Sequence, residues 1–131
     1  MPLKLCHVTS KQRKWTDAVR KSFIISALRN ASRRYPPKFD ALKEALIGRR
    51  VNAKTGKLAY HYECATCHGQ FVSADVQADH VLPVVDTKQG FVDWNTYVDR
   101  LFCDISNFQI LCRTCHAAKT ADEKKQRSKK M

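Results

Sequence analysis

Cys64-Ala-Thr-Cys67 and Cys112-Arg-Thr-Cys115 are two C-x2-C knuckles separated by residues 68–111. A knuckle sets two thiolates on one tight turn, each about 2.3 Å from a shared ion, and two knuckles complete a closed tetrahedral zinc site. Whatever folds between them must therefore begin and end at one point. Zinc held in this way contributes on the order of 10 kcal/mol to folding. The middle of the chain, residues 59–118, has about 60 residues, a size at which a hydrophobic core is marginal. Four packed free cysteines are the bland alternative. Cys6 and Cys103 have no partner at knuckle spacing and are expected to be ordinary buried or half-buried thiols.

A histidine, His68 or His116, follows each knuckle, and C-x-x-C-H is also the attachment signal of c-type haem. Haem attachment needs export and usually a distal ligand. No signal-peptide core follows Lys4, and the only methionines are Met1 and Met131. A reducing cytosol is the expected compartment, and there metal binding is favoured over disulfides. The longest apolar run, Phe23 to Leu28, is interrupted by Ser26 and falls far short of the roughly 18 residues that span a bilayer. No membrane role is expected.

The 131 residues allow one domain, or a small domain with an arm. Lys and Arg number 24 against 12 Asp and Glu, a formal net charge of +12. Residues 1–58 hold 15 of the bases against Asp17, Asp40 and Glu44, whereas residues 59–118 hold Lys88, Arg100 and Arg113 against seven acids. Residues 119–131 are basic again. Such flanks repel themselves and call for a polyanion. Three regions follow: a basic, mostly helical DNA-binding arm over 1–58, a zinc-tied domain over 59–123, and a disordered basic tail over 124–131.

Thr16 with Asp17 starts a helix on which Val19, Phe23, Ala27, Ile24 and Leu28 recur at helical spacing. Tyr35-Pro36-Pro37 closes it. A second helix is expected over Phe39 to Ile47 with Gly48 as its stop, then a basic turn containing Arg49-Arg50 and Lys54 to Lys57, then a short strand over Leu58 to Tyr62. Arg20, Lys21, Arg33, Arg34, Arg49 and Arg50 are the arm residues expected to meet phosphates. Two helices with polar faces that happen to be basic are the alternative, but ordinary faces mix signs and this one holds almost no acid.

Between the knuckles, Asp79-His80 runs into the apolar Val81-Leu82-Pro83, and Ser106-Asn107-Phe108 leads into the second pair. Strand neighbours point apart, so Asp79 and His80 have different tasks. Helix neighbours are turned by about 100°, so Cys115 can face zinc while His116 faces elsewhere. A carboxylate and an imidazole from distant segments can then share a divalent ion, leaving the other imidazole free as a base.

Asp79-His80, Asn107 and Cys112-x-x-Cys115-His116 resemble the HNH nuclease motif in its zinc-stabilised form. The wording around them (Asp79 to Val85, Gly90-Phe91, Trp94, Arg100-Leu101-Phe102, Leu111 to Thr120) is similar to small free-standing HNH endonucleases of bacteriophages and prophages. The resemblance covers about residues 60–123 well and the arm loosely. It implies an α+β fold: a ββα-metal (His-Me finger) hairpin pinned by a four-cysteine zinc site and preceded by the basic helical arm. It implies a metal-dependent DNA endonuclease in which His80 is the general base, Asp79 and His116 hold one Mg2+ or Mn2+, and Asn107 orients the loop that aims the base. The partner would be double-stranded DNA, the products 5′-phosphate and 3′-hydroxyl ends, and the location the cytoplasm of a bacterial host. One site per chain cuts one strand, as a monomer or a homodimer.

Many relatives supply a further metal ligand one turn beyond the last histidine, where this chain has Thr120, with Lys119 before it. Two protein ligands are expected, with Lys119 as a phosphate contact. A junction resolvase of the same broad fold also uses four cysteines, but its motif typically lacks a histidine directly after the last one. A non-catalytic zinc-ribbon nucleic-acid-binding protein is the alternative from another class. His68 is expected at the surface or beside the first knuckle, and His61 and His7 at the surface.

Overall fold

The computed structural model describes residues 14–129 as an α+β arrangement of four helices and two small antiparallel sheets. Helix α1 (Asp17–Ser32) starts where the Thr16 hydroxyl accepts a hydrogen bond from the Val19 N–H at 3.2 Å, with Asp17 in the positive first turn. Its inward contacts are Ile25 and Leu28, against Val84, Tyr97 and Leu101. Phe23, from the expected apolar set, is 63% exposed and stacks edge-on against Trp15. Helix α2 (Pro36–Glu44) begins at the prolines instead of Phe39, because a first-turn proline lacks only an N–H that has no helical partner.

Gly48 stops no helix. It lies in strand β1 (Leu46–Val51) with φ +124°, at a bulge where Ile47 is the extra residue opposite β2 (Leu58–Glu63). Arg49 and Arg50 are therefore strand residues, paired with Tyr60 and Ala59, and not part of a turn. The turn is Asn52 to Lys57, closed by Asn52 N–H to Lys57 O at 2.8 Å, with Gly56 in the left-handed region. Strand β3 (Gln70–Val72) completes this sheet after the first knuckle.

The second sheet holds β4 (Val76–His80) against β5 (Phe108–Cys112), in a register that sets Asp79 beside Gln109 and His80 beside Phe108. Helix α3 (Trp94–Leu101) lies in the connection, its first turn capped by the Asp93 carboxylate on the Thr96 N–H at 2.7 Å. Helix α4 (Arg113–Ser128) leaves β5 directly. Val76, Ala78, Phe108 and Ile110 pack with Ala41 of α2 in one core cluster, so α2 covers one face of this hairpin while α4 packs against the same two strands.

Apolar Val81-Leu82 lies beyond β4: the Val81 N–H still meets Asn107 O in register at 2.8 Å, but the Leu82 N–H turns to the Asn107 side chain, Oδ1 at 3.0 Å. Residues 124–128 are helical instead of a disordered tail. Glu123 pairs with Lys119 and Arg127, and Gln126 accepts from the Thr87 hydroxyl at 2.9 Å, which holds the last turns down. Among the described residues, no helix is long and apolar enough to cross a membrane.

Candidate metal centre and active-site residues

Knuckle one follows β2 and knuckle two straddles the junction of β5 with α4. The sulfurs of Cys64, Cys67, Cys112 and Cys115 all lie within 4.8 Å of one another, close enough to hold a metal ion such as zinc. Sulfurs at about 2.3 Å from a tetrahedral ion are about 3.8 Å apart, and Cys67 Sγ lies 3.9 Å from Cys112 Sγ. Cys64 and Cys112 are buried and Cys67 is exposed, so the cluster sits at the edge of the core with Leu111 and Phe71 beside it. Burial raises the Cys64 thiol, but hydrogen bonds from the backbone of Cys112, Cys67 and Thr66 outweigh it and bring its pKa to about 6. The neighbouring Cys112 thiol, burial, and the Cys64 and Cys67 sulfurs push Cys115 up to about 12. One thiol is ready to ionise and another is held protonated by its neighbours; a dication among them removes that conflict. His68 ends the first knuckle at φ +59° and is exposed, its Nδ1 3.6 Å from Glu63 Oε2.

Asp79 faces α4. Its Oδ1 lies 3.6 Å from His116 Nε2, so a carboxylate on β4 and an imidazole in the first turn of α4 meet across the chain. Oδ2 accepts from Gln109 Nε2 at 3.0 Å and lies 2.9 Å from Lys119 Nζ. The Lys119 ammonium also donates to Glu123 Oε1 at 2.7 Å and to the His80 carbonyl at 2.8 Å. Burial lowers the Lys119 pKa, but Glu123 and Asp79 outweigh it and the net shift is upward. Lys119, expected as a phosphate contact, is a half-buried cation between two carboxylates. The helix spacing 116, 119, 123 puts all three on one face, a signal present in the sequence itself. Gln109 needed the β4–β5 register to be found.

His80 turns the other way. Its Nε2 is 2.9 Å from the Leu101 carbonyl, and its ring lies 4.8 Å from that of Phe108. A carbonyl oxygen can only accept, so Nε2 carries the proton and Nδ1 keeps the free lone pair. Burial, the largest influence, and the Lys38 and Arg29 charges hold the His80 pKa below 6.5, against the Leu101 bond and Asp79. Asn107 clamps the residues just after His80, its amide also donating to Leu82 O at 3.5 Å.

Of the arm's basic residues, Arg20 pairs with Asp17 at 3.3 Å on an exposed surface, Arg33 and Arg34 follow the end of α1, and Arg49 lies over the Tyr60 ring at 5.3 Å. Arg50 donates to Arg49 O at 2.8 Å. Lys21 is half-buried with its ammonium 3.7 Å above the Phe91 ring, so it ties α1 to the segment before α3. His61 is 8% exposed, not a surface residue: it faces side-chain-free Gly48 across the ladder, and its Nδ1 donates to Ala59 O at 2.9 Å. Cys103 is half-buried, as expected, and Cys6 and His7 lie outside the described residues. Comparison with protein-family profiles, curated proteins and solved structures found no match.

Proposed function

We propose that the chain is a metal-dependent DNA endonuclease of the zinc-stabilised HNH type, hydrolysing phosphodiester bonds with β4, β5 and α4 as its ββα-metal hairpin. The observation that carries this is the 3.6 Å approach of Asp79 Oδ1 on β4 and His116 Nε2 on α4, remote from each other along the chain. Zinc on Cys64, Cys67, Cys112 and Cys115 would pin the base of the hairpin, because Cys115 and His116 are neighbours on α4. Asp79 and His116 would hold a single Mg2+ or Mn2+. A divalent ion there supplies neutralisation of charge on the attacked phosphate and on the departing 3′ oxygen.

The remaining steps belong to the chain itself. His80 Nδ1 accepts a proton from the attacking water, a contribution of roughly 10²- to 10⁴-fold. The Leu101 carbonyl fixes its tautomer, and Asn107 fixes the backbone that aims it. Gln109 and Lys119 orient the Asp79 carboxylate. The basic arm supplies affinity for duplex DNA through its phosphates.

Supercoiled plasmid incubated with the protein and Mg2+ or Mn2+ is nicked by wild type, and by His80→Ala at a rate lower by at least about 10²-fold. Equal nicking by both proteins overturns the assignment. The 2.9 Å contact between Lys119 and Asp79 favours a second reading, in which Asp79 is structural and the chain is a non-catalytic zinc-ribbon nucleic-acid-binding protein. That reading predicts salt-sensitive binding and no cleavage with any metal.

A further inference from the structure

On the α2 side of β4, basic side chains gather without acidic partners. Arg29 is in the last turn of α1, Arg33 follows its end, and Lys38 is in the first turn of α2. The Lys38 ammonium donates to Ser32 Oγ at 3.5 Å, and that hydroxyl, on a residue 4% exposed, donates to Arg29 O at 2.8 Å. Lys38 is therefore anchored at the end of α1. Among the described residues, none of the three has a carboxylate within 4.0 Å; the pairs formed by basic side chains use Arg20, Lys54, Lys119, Arg127, His68 and His116. Burial, then Arg29, hold the Lys38 pKa below its ordinary value against the Cys103 sulfur, and Arg33 adds to this. The end of a helix offers about half a negative charge, too little for three cations.

The cluster opens onto a groove of about 270 Å³ lined by Arg33, Lys38, Phe39, Ser73, Gln77 and Ala78, among others. Phe39 is 51% exposed at this rim. Gln77 and Ala78 belong to β4, just ahead of Asp79 and His80. The Phe108 ring joins the two ends: Lys38 Nζ is 5.9 Å from its centroid and the His80 ring 4.8 Å. Ammonium and imidazole thus flank one aromatic ring, close enough for a single backbone strand to pass both.

We propose that Lys38 and Arg33, with Arg29 behind them, form a phosphate clamp that grips the backbone of one DNA strand and leads it along β4 toward His80. The ligand is a phosphodiester chain. What happens at its end rests on the endonuclease proposal, but the clamp does not. Carboxylate-free cations fit an anion, and an open groove running along a strand fits a polymer better than a closed pocket would.

The test is fluorescence anisotropy of the full chain on an end-labelled duplex, across a range of NaCl concentrations, without added Mg2+ or Mn2+ and without chelator. Lys38→Met and Arg33→Gln each weaken binding about three- to tenfold at low salt, and each makes the slope of log affinity against log salt shallower by about 0.9. Lys38→Arg retains both, and Lys43→Met, on the same helix, serves as the reference surface change. Arg33 is exposed, so Arg33→Gln keeps the test alive should Lys38→Met fail to fold. Unchanged affinity and slope in Arg33→Gln and in whichever Lys38 variant folds overturn the clamp. Displacement of the duplex by inorganic phosphate at equal phosphate concentration also overturns it, since the site would then hold a small anion. Wild type that shows the clamp signature yet nicks no plasmid removes the endonuclease proposal alone.

Discussion

Replacing Lys119 with methionine keeps the length and apolar stem of the side chain and removes one charge. Three acceptors lose their donor: Asp79 Oδ2 at 2.9 Å, Glu123 Oε1 at 2.7 Å and His80 O at 2.8 Å. The side chains of Lys119, Asp79 and Glu123 are 26%, 12% and 18% exposed, so two largely buried carboxylates are left side by side without the cation between them. Breaking a fully buried pair costs about 3–5 kcal/mol. Partial exposure of Lys119 and the remaining Gln109 and Arg127 contacts reduce this to about 2–3 kcal/mol. With a denaturant slope of about 1–3 kcal/mol per molar, the urea midpoint followed by circular dichroism falls by about 1–2 M. The same change made in an Asp79→Asn background costs about 1–2 kcal/mol less, because only one carboxylate is then stranded. A Lys119→Met protein that unfolds at the wild-type urea concentration refutes the view that this ammonium holds Asp79 in place. Under the endonuclease proposal Mn2+ takes over part of that task. Mn2+ at ten times its dissociation constant then restores about 1.4 kcal/mol to Lys119→Met.

Further outcomes follow from the same geometry. Elemental analysis finds one zinc per chain, and Cys112→Ser loses it and unfolds, since the ion supplies on the order of 10 kcal/mol; an unaltered, zinc-free wild type contradicts the four-sulfur site. Asn107→Ala frees the Leu82 N–H and loosens the residues after His80. Nicking falls about 10²-fold by misplacement of the base, while the thermal midpoint moves only by the equivalent of about 0.5–1.5 kcal/mol. The Tyr97 hydroxyl is buried with no hydrogen-bond partner among the described residues. Tyr97→Phe therefore leaves stability unchanged or raises it by up to about 1 kcal/mol, read from thermal unfolding.

Spacing along the chain was enough to find the four-sulfur cluster. A C-x2-C turn is a local object, and the gathering of Cys64, Cys67, Cys112 and Cys115 needed only that two such turns share one ion. The start of α1 at Thr16 and the pairing of charge with region were local too. Gly48 was ambiguous for the same reason: positive φ serves a helix stop and a strand bulge equally, and only β2 as a partner decides between them. Phe23 has helical spacing, yet α3 docks along Ile25 and Leu28. His61 is inside on the middle strand of its sheet, between Gly48 of β1 and Val72 of β3, a neighbourhood no periodicity reveals.

The sequence by itself determined which residues carry donors and charge, and which pairs sit on one turn. Tertiary structure alone decided which of them meet. The approach of Asp79 to His116 depends on the β4–β5 register and on the phase at which α4 leaves β5. The place of Lys119 between Asp79 and Glu123 has the same origin. A slip of one residue in either strand turns every side chain to the other face. Such a register is set by the summed packing of the whole domain, and no short stretch of sequence contains it.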